Sequence, residues 1–146
     1  MRKLVVGIPM AKEGFPFLLP LLGLAGGSII LDWPWAAAFF AALAVGVGFF
    51  FRDPEREGPK EEGLILSPAD GKVVAIEPYQ GSSGEELIQV SIFLALGNVH
   101  VNRAPITSVV QEIRYRPGRF KVAFKKEASS QNEQNLIRFA SPWGEI

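Results

Sequence analysis

The sequence predicts an N-terminal transmembrane or otherwise membrane-inserted helical hairpin, followed by a mainly antiparallel β domain of barrel or sandwich type. The first observation is composition: the 146 residues are 48% hydrophobic, and the apolar residues concentrate in the first third of the chain. The second is that the pattern changes after Gly63 to short β-rich runs broken by turns. The β domain is expected to be incomplete at its C-terminus.

Composition also limits the classes of function. The formal net charge is zero, so no global field favours nucleic acid as a partner. The chain has no cysteine and therefore no disulfide framework or thiolate metal site. A single histidine argues against a zinc site, and no metal is expected.

The predicted hairpin covers residues 15–51, after a cytoplasmic segment of residues 1–14. Its only charge is Asp32, in the run Asp32-Trp33-Pro34-Trp35 that divides two apolar halves. Each half would be roughly 25–29 Å long as a helix, close to the thickness of a bilayer core. Basic residues flank both outer ends, which predicts a cell-membrane protein with its β domain on the cytoplasmic side. Five glycines are expected to let the two helices approach closely: Gly23, Gly26, Gly27, Gly46 and Gly48.

Three other interpretations compete with a spanning hairpin. Two successive apolar segments fit a signal peptide poorly, and a soluble hairpin should show a polar face, which is not visible. A shallow hairpin that enters and leaves one leaflet stays open, because Pro16 and Pro20 shorten the first helix.

A charged, proline-containing linker of residues 52–63 leads to the β domain of residues 64–146. Leu87–Ala95 is apolar and β-branched, which predicts a central strand. Gly81-Ser82-Ser83-Gly84 is rich in turn formers and predicts a plain hairpin loop, although it contains a Gly-Ser bond. Other strands are predicted over Gly63–Leu66, Lys72–Ile76, Thr107–Tyr115, Phe120–Phe124 and Leu136–Ala140.

Two polar turns carry the candidate chemistry. Asp70 lies in Ser67-Pro68-Ala69-Asp70-Gly71-Lys72-Val73, and His100, the only histidine, lies in Leu96-Gly97-Asn98-Val99-His100-Val101-Asn102-Arg103. A carboxylate and an imidazole are two members of an acid/base pair that a nucleophile would complete. Taken alone, His100 is more often a satisfied surface or core histidine.

These turns resemble the signature segments of the phosphatidylserine decarboxylase family in its short form. Further segments resemble the family in the same order along the chain: Ile8–Pro16, Phe50–Arg56, Tyr115–Phe120 and Ala128–Glu133. Archaetidylserine decarboxylases share much of the pattern and stay open as an alternative.

The resemblance implies decarboxylation of phosphatidylserine to phosphatidylethanolamine, with a pyruvoyl group as the electron sink. In this family the pyruvoyl group forms when the proenzyme cleaves itself at a Gly-Ser bond near the C-terminus. No such segment precedes Ile146, so the serine is expected on a further segment that becomes a pyruvoyl-bearing α chain. By the same resemblance His100 is the base that activates the serine, and Asp70 orients its imidazole. The implied partners are a phospholipid membrane, phosphatidylserine and that α chain, and a homo-oligomer stays open.

Asn98, Asn102 and Arg103 are weaker candidates for binding the lipid substrate. Loop hydrogen bonds and a solvated surface position are equally good explanations for them. Asn132 and Glu133 match a family segment without an assigned step. A different class of function also stays open: a noncatalytic membrane-tethered β module that binds lipid headgroups or a protein partner.

Overall fold

The structure is a computed structural model that describes residues 9–59, 61, 63–81, 84–122 and 128–146. Its contacts divide the chain into two compact units. The first consists of residues 1–57 and 69–102, and the second of residues 58–68 and 103–146.

The first unit contains the predicted helical hairpin. Helix α1 spans Phe15–Ile30 and helix α2 spans Pro34–Phe50. Pro34 is the first residue of α2, where a proline costs no hydrogen bond. Asp32, in the connection, has a φ of 52°, a left-handed conformation that aspartate tolerates better than most residues. The prediction of two apolar helices divided near Asp32 is confirmed.

Alanine and serine, rather than glycine, lie between the two helices. The buried positions are Ala25 and Ser28 on α1 and Ala37 and Ala44 on α2. A Cβ atom added to any of the five helical glycines would meet nothing within 4 Å. The prediction that those glycines mediate the close approach is therefore wrong. Composition shows that small residues are present, but the rotation of each helix decides which of them face the partner.

The two ends of the hairpin are joined to each other. The amide of Ala11 donates to the carbonyl of Phe51 at 2.8 Å, and the amide of Asp53 donates to the carbonyl of Pro9 at 2.7 Å. Gly14 lies directly against this junction, since a Cβ there would stand 2.4 Å from Met10 Cε. Both ends of the hairpin therefore lie on the same side of it.

Among the residues that the structure describes, one helical stretch is long and apolar enough to cross a membrane. It runs over residues 12–30, including a 3₁₀ turn at Lys12–Gly14 that leads into α1. Helix α2 is apolar too but, at 17 residues, shorter. Most large side chains of both helices are exposed, and Trp35 and Ile30 are more than four-fifths exposed.

The first unit also contains an antiparallel ribbon of two strands. Strand β1 spans Lys72–Gln80 and strand β2 spans Glu86–Phe93, with Lys72 opposite Phe93 and Gln80 opposite Glu86. Gly81 and Gly84 lie in their connection, which confirms the predicted hairpin between two strands; Ser82 and Ser83 lie outside the described residues. β2 ends two residues earlier than expected, and within the described residues it pairs with β1 alone, so its prediction as a central strand is wrong there.

The second unit contains a three-stranded antiparallel sheet in the order β3-β4-β5. Strand β3 spans Val109–Arg116, β4 spans Gln134–Ser141 and β5 spans Gly144–Glu145. A single helical turn, α3, covers Ala128–Gln131 before β4. The antiparallel character of the β region is confirmed. Neither sheet closes into a barrel within the described residues, and the barrel or sandwich type remains a prediction.

Within the described residues, irregular chain replaces two of the predicted strands. Gly63–Leu66 is irregular, and its one ladder-like contact is the amide of Leu66 donating to the carbonyl of Pro105 at 2.8 Å. Residues 120–122 are also irregular, and the rest of the strand predicted over Phe120–Phe124 lies outside the described residues. Both runs are apolar, but proline and glycine nearby interrupt regular pairing.

Candidate functional site

Asp70 lies in the bend that leads into β1. The next residue, Gly71, packs so closely on β2 that an added Cβ would stand 2.4 Å from the carbonyl oxygen of Phe93. Only glycine fits this approach. The sequence Asp70-Gly71 therefore places the carboxylate just before the start of β1, opposite the end of β2.

The Asp70 carboxylate binds the loop that carries His100. Its Oδ2 accepts a hydrogen bond of 3.2 Å from the backbone amide of Val99. Its Oδ1 forms an ion pair of 3.2 Å with the Arg56 guanidinium, in which both side chains are about half exposed. Val99 is the most deeply buried large side chain described, at 1% exposure. Asp70 thus satisfies an amide at a buried point of the loop, next to His100 in the sequence.

The His100 imidazole is held by two contacts. Its Nδ1 lies 3.0 Å from the backbone carbonyl of Asn98. A carbonyl can only accept, so Nδ1 carries a hydrogen and donates it; in the neutral ring this assigns the lone pair to Nε2. The Phe50 ring stacks on the imidazole with centroids 4.3 Å apart and planes inclined by 28°. The neutral imidazole is thereby fixed in tautomer and in plane, with Nε2 as its hydrogen-bond acceptor.

Asp70 and His100 belong to the same unit and to contacting segments. Within the described residues, however, no hydrogen bond joins the carboxylate to the imidazole. The partner of Nδ1 is the carbonyl of Asn98 instead. The expectation of a direct carboxylate–imidazole contact, or one within a small adjustment, stays a prediction.

Arg52 ties the end of α2 to the same loop. Its guanidinium donates to the carbonyl of Gly97 at 2.6 Å and to the carbonyl of Phe49 at 2.8 Å. It also stands over the Phe49 ring, 4.0 Å from the centroid. Phe50 also stacks on His100. The side chains of Phe50 and Arg52 therefore both connect the hairpin to the candidate site.

A cavity of about 540 Å³ lies beside His100 within the first unit. This volume is within the range of about 300–1,000 Å³ that small-molecule sites occupy. Its lining combines the start of the hairpin with the end of α2 and the candidate loop: Met10, Ala11, Lys12, Glu13, Phe50, Phe51, Asp53, His100 and Val101.

The weaker candidates have separate contacts. The Asn98 side chain braces its own loop, since Oδ1 accepts from the amide of Ala95 at 2.8 Å. Asn102 is exposed and lies in the first unit, whereas Arg103 belongs to the second unit, where its amide donates to the carbonyl of Pro68. Their role in binding substrate remains a prediction.

The segment with Asn132 and Glu133 is structural in the second unit. The Asn132 amide group donates to the carbonyl of Lys121 and accepts from its amide, both at 2.8 Å. Glu133 neighbours Tyr115 on β3. Desolvation and the Glu133 carboxylate, which accepts a hydrogen bond from the phenol, raise the pKa of Tyr115 above its ordinary value of 10.0.

Sequence reasoning missed the contacts that hold the loop. Arg52 and Arg56 lie in the predicted linker and Phe50 in the predicted membrane helix, and neither prediction indicates a contact with this loop. A signal was present, because these residues fall in one of the segments that carry the family resemblance. A family pattern can mark such residues without indicating what they touch.

The chain is similar to known proteins over most of its length. A family model described as phosphatidylserine decarboxylase matches residues 43–146. The phosphatidylserine decarboxylase proenzyme of Magnetococcus marinus is 44% identical over 138 residues, which cover 92% of this chain and 63% of that relative. The chain therefore spans less than two thirds of the length of this relative.

Proposed function

Because the chain belongs to the phosphatidylserine decarboxylase family, we propose that it is the membrane-associated, histidine-bearing part of a phosphatidylserine decarboxylase proenzyme. Its reaction is the conversion of phosphatidylserine to phosphatidylethanolamine and carbon dioxide. The noncatalytic module is not favoured by these similarities. The observation that carries the proposal is the placement of His100, whose Nδ1 bonds to the carbonyl of Asn98, whose ring stacks on Phe50, and whose side chain lines a cavity.

In this proposal His100 is the base of proenzyme self-cleavage. A serine hydroxyl is a weak nucleophile and needs a neighbouring base to take its proton. Nε2 takes that proton, and the resulting imidazolium stays bonded through Nδ1 to the carbonyl of Asn98. The serine is contributed by a segment outside residues 1–146, consistent with the 63% coverage of the Magnetococcus relative.

Asp70 acts through the loop. Its hydrogen bond to the amide of Val99 fixes the backbone that carries both Asn98 and His100. We infer that Asp70 positions the imidazole by this route, with the carbonyl of Asn98 in the place of an orienting carboxylate.

The residues present fit a pyruvoyl group formed from that serine. When bound, the group supplies a carbonyl that withdraws electrons from the carbon losing carbon dioxide. Of the lining side chains, His100 has the acceptor and, once protonated, the donor that such a site requires. Phe50, Phe51 and Val101 supply an apolar part of the lining around the imidazole.

We further propose that the hairpin inserts into the cell membrane with both ends in the cytoplasm. The outward faces of α1 and α2 carry large apolar side chains, among them Phe17, Ile29, Trp35 and Phe39, each more than half exposed. At about 1.5 Å per residue the helices are roughly 24 and 26 Å long, near the lower limit for spanning. The sequence contains no cysteine, so single cysteines can report topology.

Two experiments test the membrane proposal. After extraction with alkaline carbonate the chain should stay in the membrane pellet; recovery as a soluble, unaggregated protein would contradict insertion. In intact cells an impermeant maleimide should label Asp32→Cys but should label Glu55→Cys only after permeabilisation. Protection of both positions in intact cells would instead indicate a hairpin within one leaflet.

The catalytic proposal is tested with the downstream serine segment joined to the chain. This protein should cleave itself at Gly-Ser and release carbon dioxide from phosphatidylserine. His100→Ala should block cleavage, whereas Gln89→Ala, an exposed change on β2, should not. Normal processing of His100→Ala would refute the role given to the imidazole.

A further inference from the structure

Lys12 stands at the opening of the hairpin and lines the same cavity as His100. It begins the 3₁₀ turn that precedes α1, so it is the last cation before the apolar helix. Its ammonium forms no ion pair within the part of the chain that the structure describes. A lysine without a partner beside a cavity is available to an anionic group of a ligand. The other residues around the cavity indicate which anionic group that is.

Lys12 and His100 belong to different parts of the lining. Lys12 begins the turn that precedes the apolar helix α1, whereas His100 lies in the loop held by Arg52 and Phe50. In a glycerophospholipid the phosphodiester joins the acyl-bearing glycerol to the headgroup moiety. A lipid whose acyl chains follow the apolar helix and whose headgroup reaches His100 would therefore carry its phosphodiester, rather than its headgroup carboxylate, near Lys12.

The remaining charges restrict the ligand further. Glu13 and Asp53 also line the cavity, so two carboxylates accompany the single lysine ammonium. Such a lining disfavours a simple inorganic anion and favours a ligand that carries a cation as well. A phosphodiester joined to an ammonium-bearing moiety meets both conditions.

We propose that Lys12 binds the phosphodiester of the lipid in the cavity shared with His100, and so selects a phospholipid over the free amino acid. The inference rests on the proposed function, but binding alone can test it. His100 is the only histidine, so its imidazole gives one NMR signal that reports on the cavity.

The test uses the full chain in maltoside micelles, which contain no phosphate, with glycerophosphoserine as the soluble probe. The probe should shift the imidazole signal saturably. Lys12→Gln should weaken its binding by about tenfold or more, the loss expected for a hydrogen bond to a charged group. Lys12→Arg should retain most of the affinity, and Lys72→Gln, the same change at an exposed position of β1, should retain all of it.

Further probes separate the sources of binding. Free serine should bind Lys12→Gln and the unaltered chain equally, because it has no phosphate. Equal affinity of Lys12→Gln and the unaltered chain for glycerophosphoserine would overturn the proposal. So would inorganic phosphate that competes as well as glycerophosphoserine, since it would indicate an unspecific anion site. If the probe binds through Lys12 while His100→Ala still processes normally, the lipid site stands and the catalytic proposal fails.

Discussion

Replacing Asp70 by alanine should loosen the loop that carries His100. The amide of Val99 would lose its acceptor at a point where the Val99 residue is 1% exposed. An unsatisfied buried amide costs about 1–3 kcal/mol, which corresponds to about 5- to 150-fold in a local opening equilibrium. The ion pair with Arg56 adds little, because both partners are about half exposed and such pairs contribute about 0–1 kcal/mol.

The assay is native-state hydrogen exchange at the amide of Val99, which measures local opening. Asp70→Ala should speed exchange by the factor given above. Asp70→Asn keeps an oxygen acceptor and should change exchange by less than about fivefold, the limit set by losing the exposed ion pair. Arg56→Gln, which removes only that pair, is the matched control and should resemble Asp70→Asn.

The comparison among the three variants shows whether the amide contact or the ion pair holds the loop. If Arg56→Gln speeds exchange as much as Asp70→Ala, the ion pair and not the amide contact holds the loop. If none of the three changes exchange at Val99, Asp70 does not act on the loop, and its assignment as a positioning residue is refuted.

Two further predictions concern other contacts. Gly14→Ala should destabilise the joined ends of the hairpin by more than about 1 kcal/mol, because its Cβ would stand 2.7 Å from the Cβ of Phe51, whereas Gly23→Ala meets open space and should be neutral or stabilising in thermal unfolding. In an NMR titration the pKa of Tyr115 should lie above 10.0, and Glu133→Gln should lower it part of the way back, because the repelling carboxylate is lost while desolvation remains. Because the raised pKa favours the neutral phenol in the folded protein, Tyr115 contributes to stability below pH 10. That contribution is lost as the pH rises through the pKa of Tyr115 in the folded state. No shift on Glu133→Gln would contradict the assigned contact.

Local chemistry explains which features could be predicted from the sequence. The absence of charge on either side of Asp32 indicates two apolar helices, and Pro34 marks where the second begins. The alternation in Thr107–Tyr115 and the turn formers around Gly81 similarly indicate strands and their connection. Each of these depends on residues close together in the sequence.

The contacts of the site depend on distant residues and could not be derived in this way. The carboxylate of Asp70 reaches an amide 29 positions away, and Arg52 reaches a carbonyl 45 positions away. The glycines of the hairpin show the same limit, because a pattern of small residues does not give the rotation of a helix. Resemblance to a family identified Asp70 and His100, but only tertiary structure shows which atoms they contact.

The contacts of Arg52 and Phe50 have a kinetic consequence if the hairpin inserts as proposed. They attach the imidazole to the end of a helix that is anchored in the bilayer, so the height of His100 above the lipid is set by the hairpin and not by diffusion of the domain. A lipid would then meet the imidazole by lateral movement within its own leaflet, without desorbing into water. The turnover rate should accordingly follow the mole fraction of substrate in the membrane, and dilution with an inert lipid should lower it even when the amount of substrate per volume is unchanged.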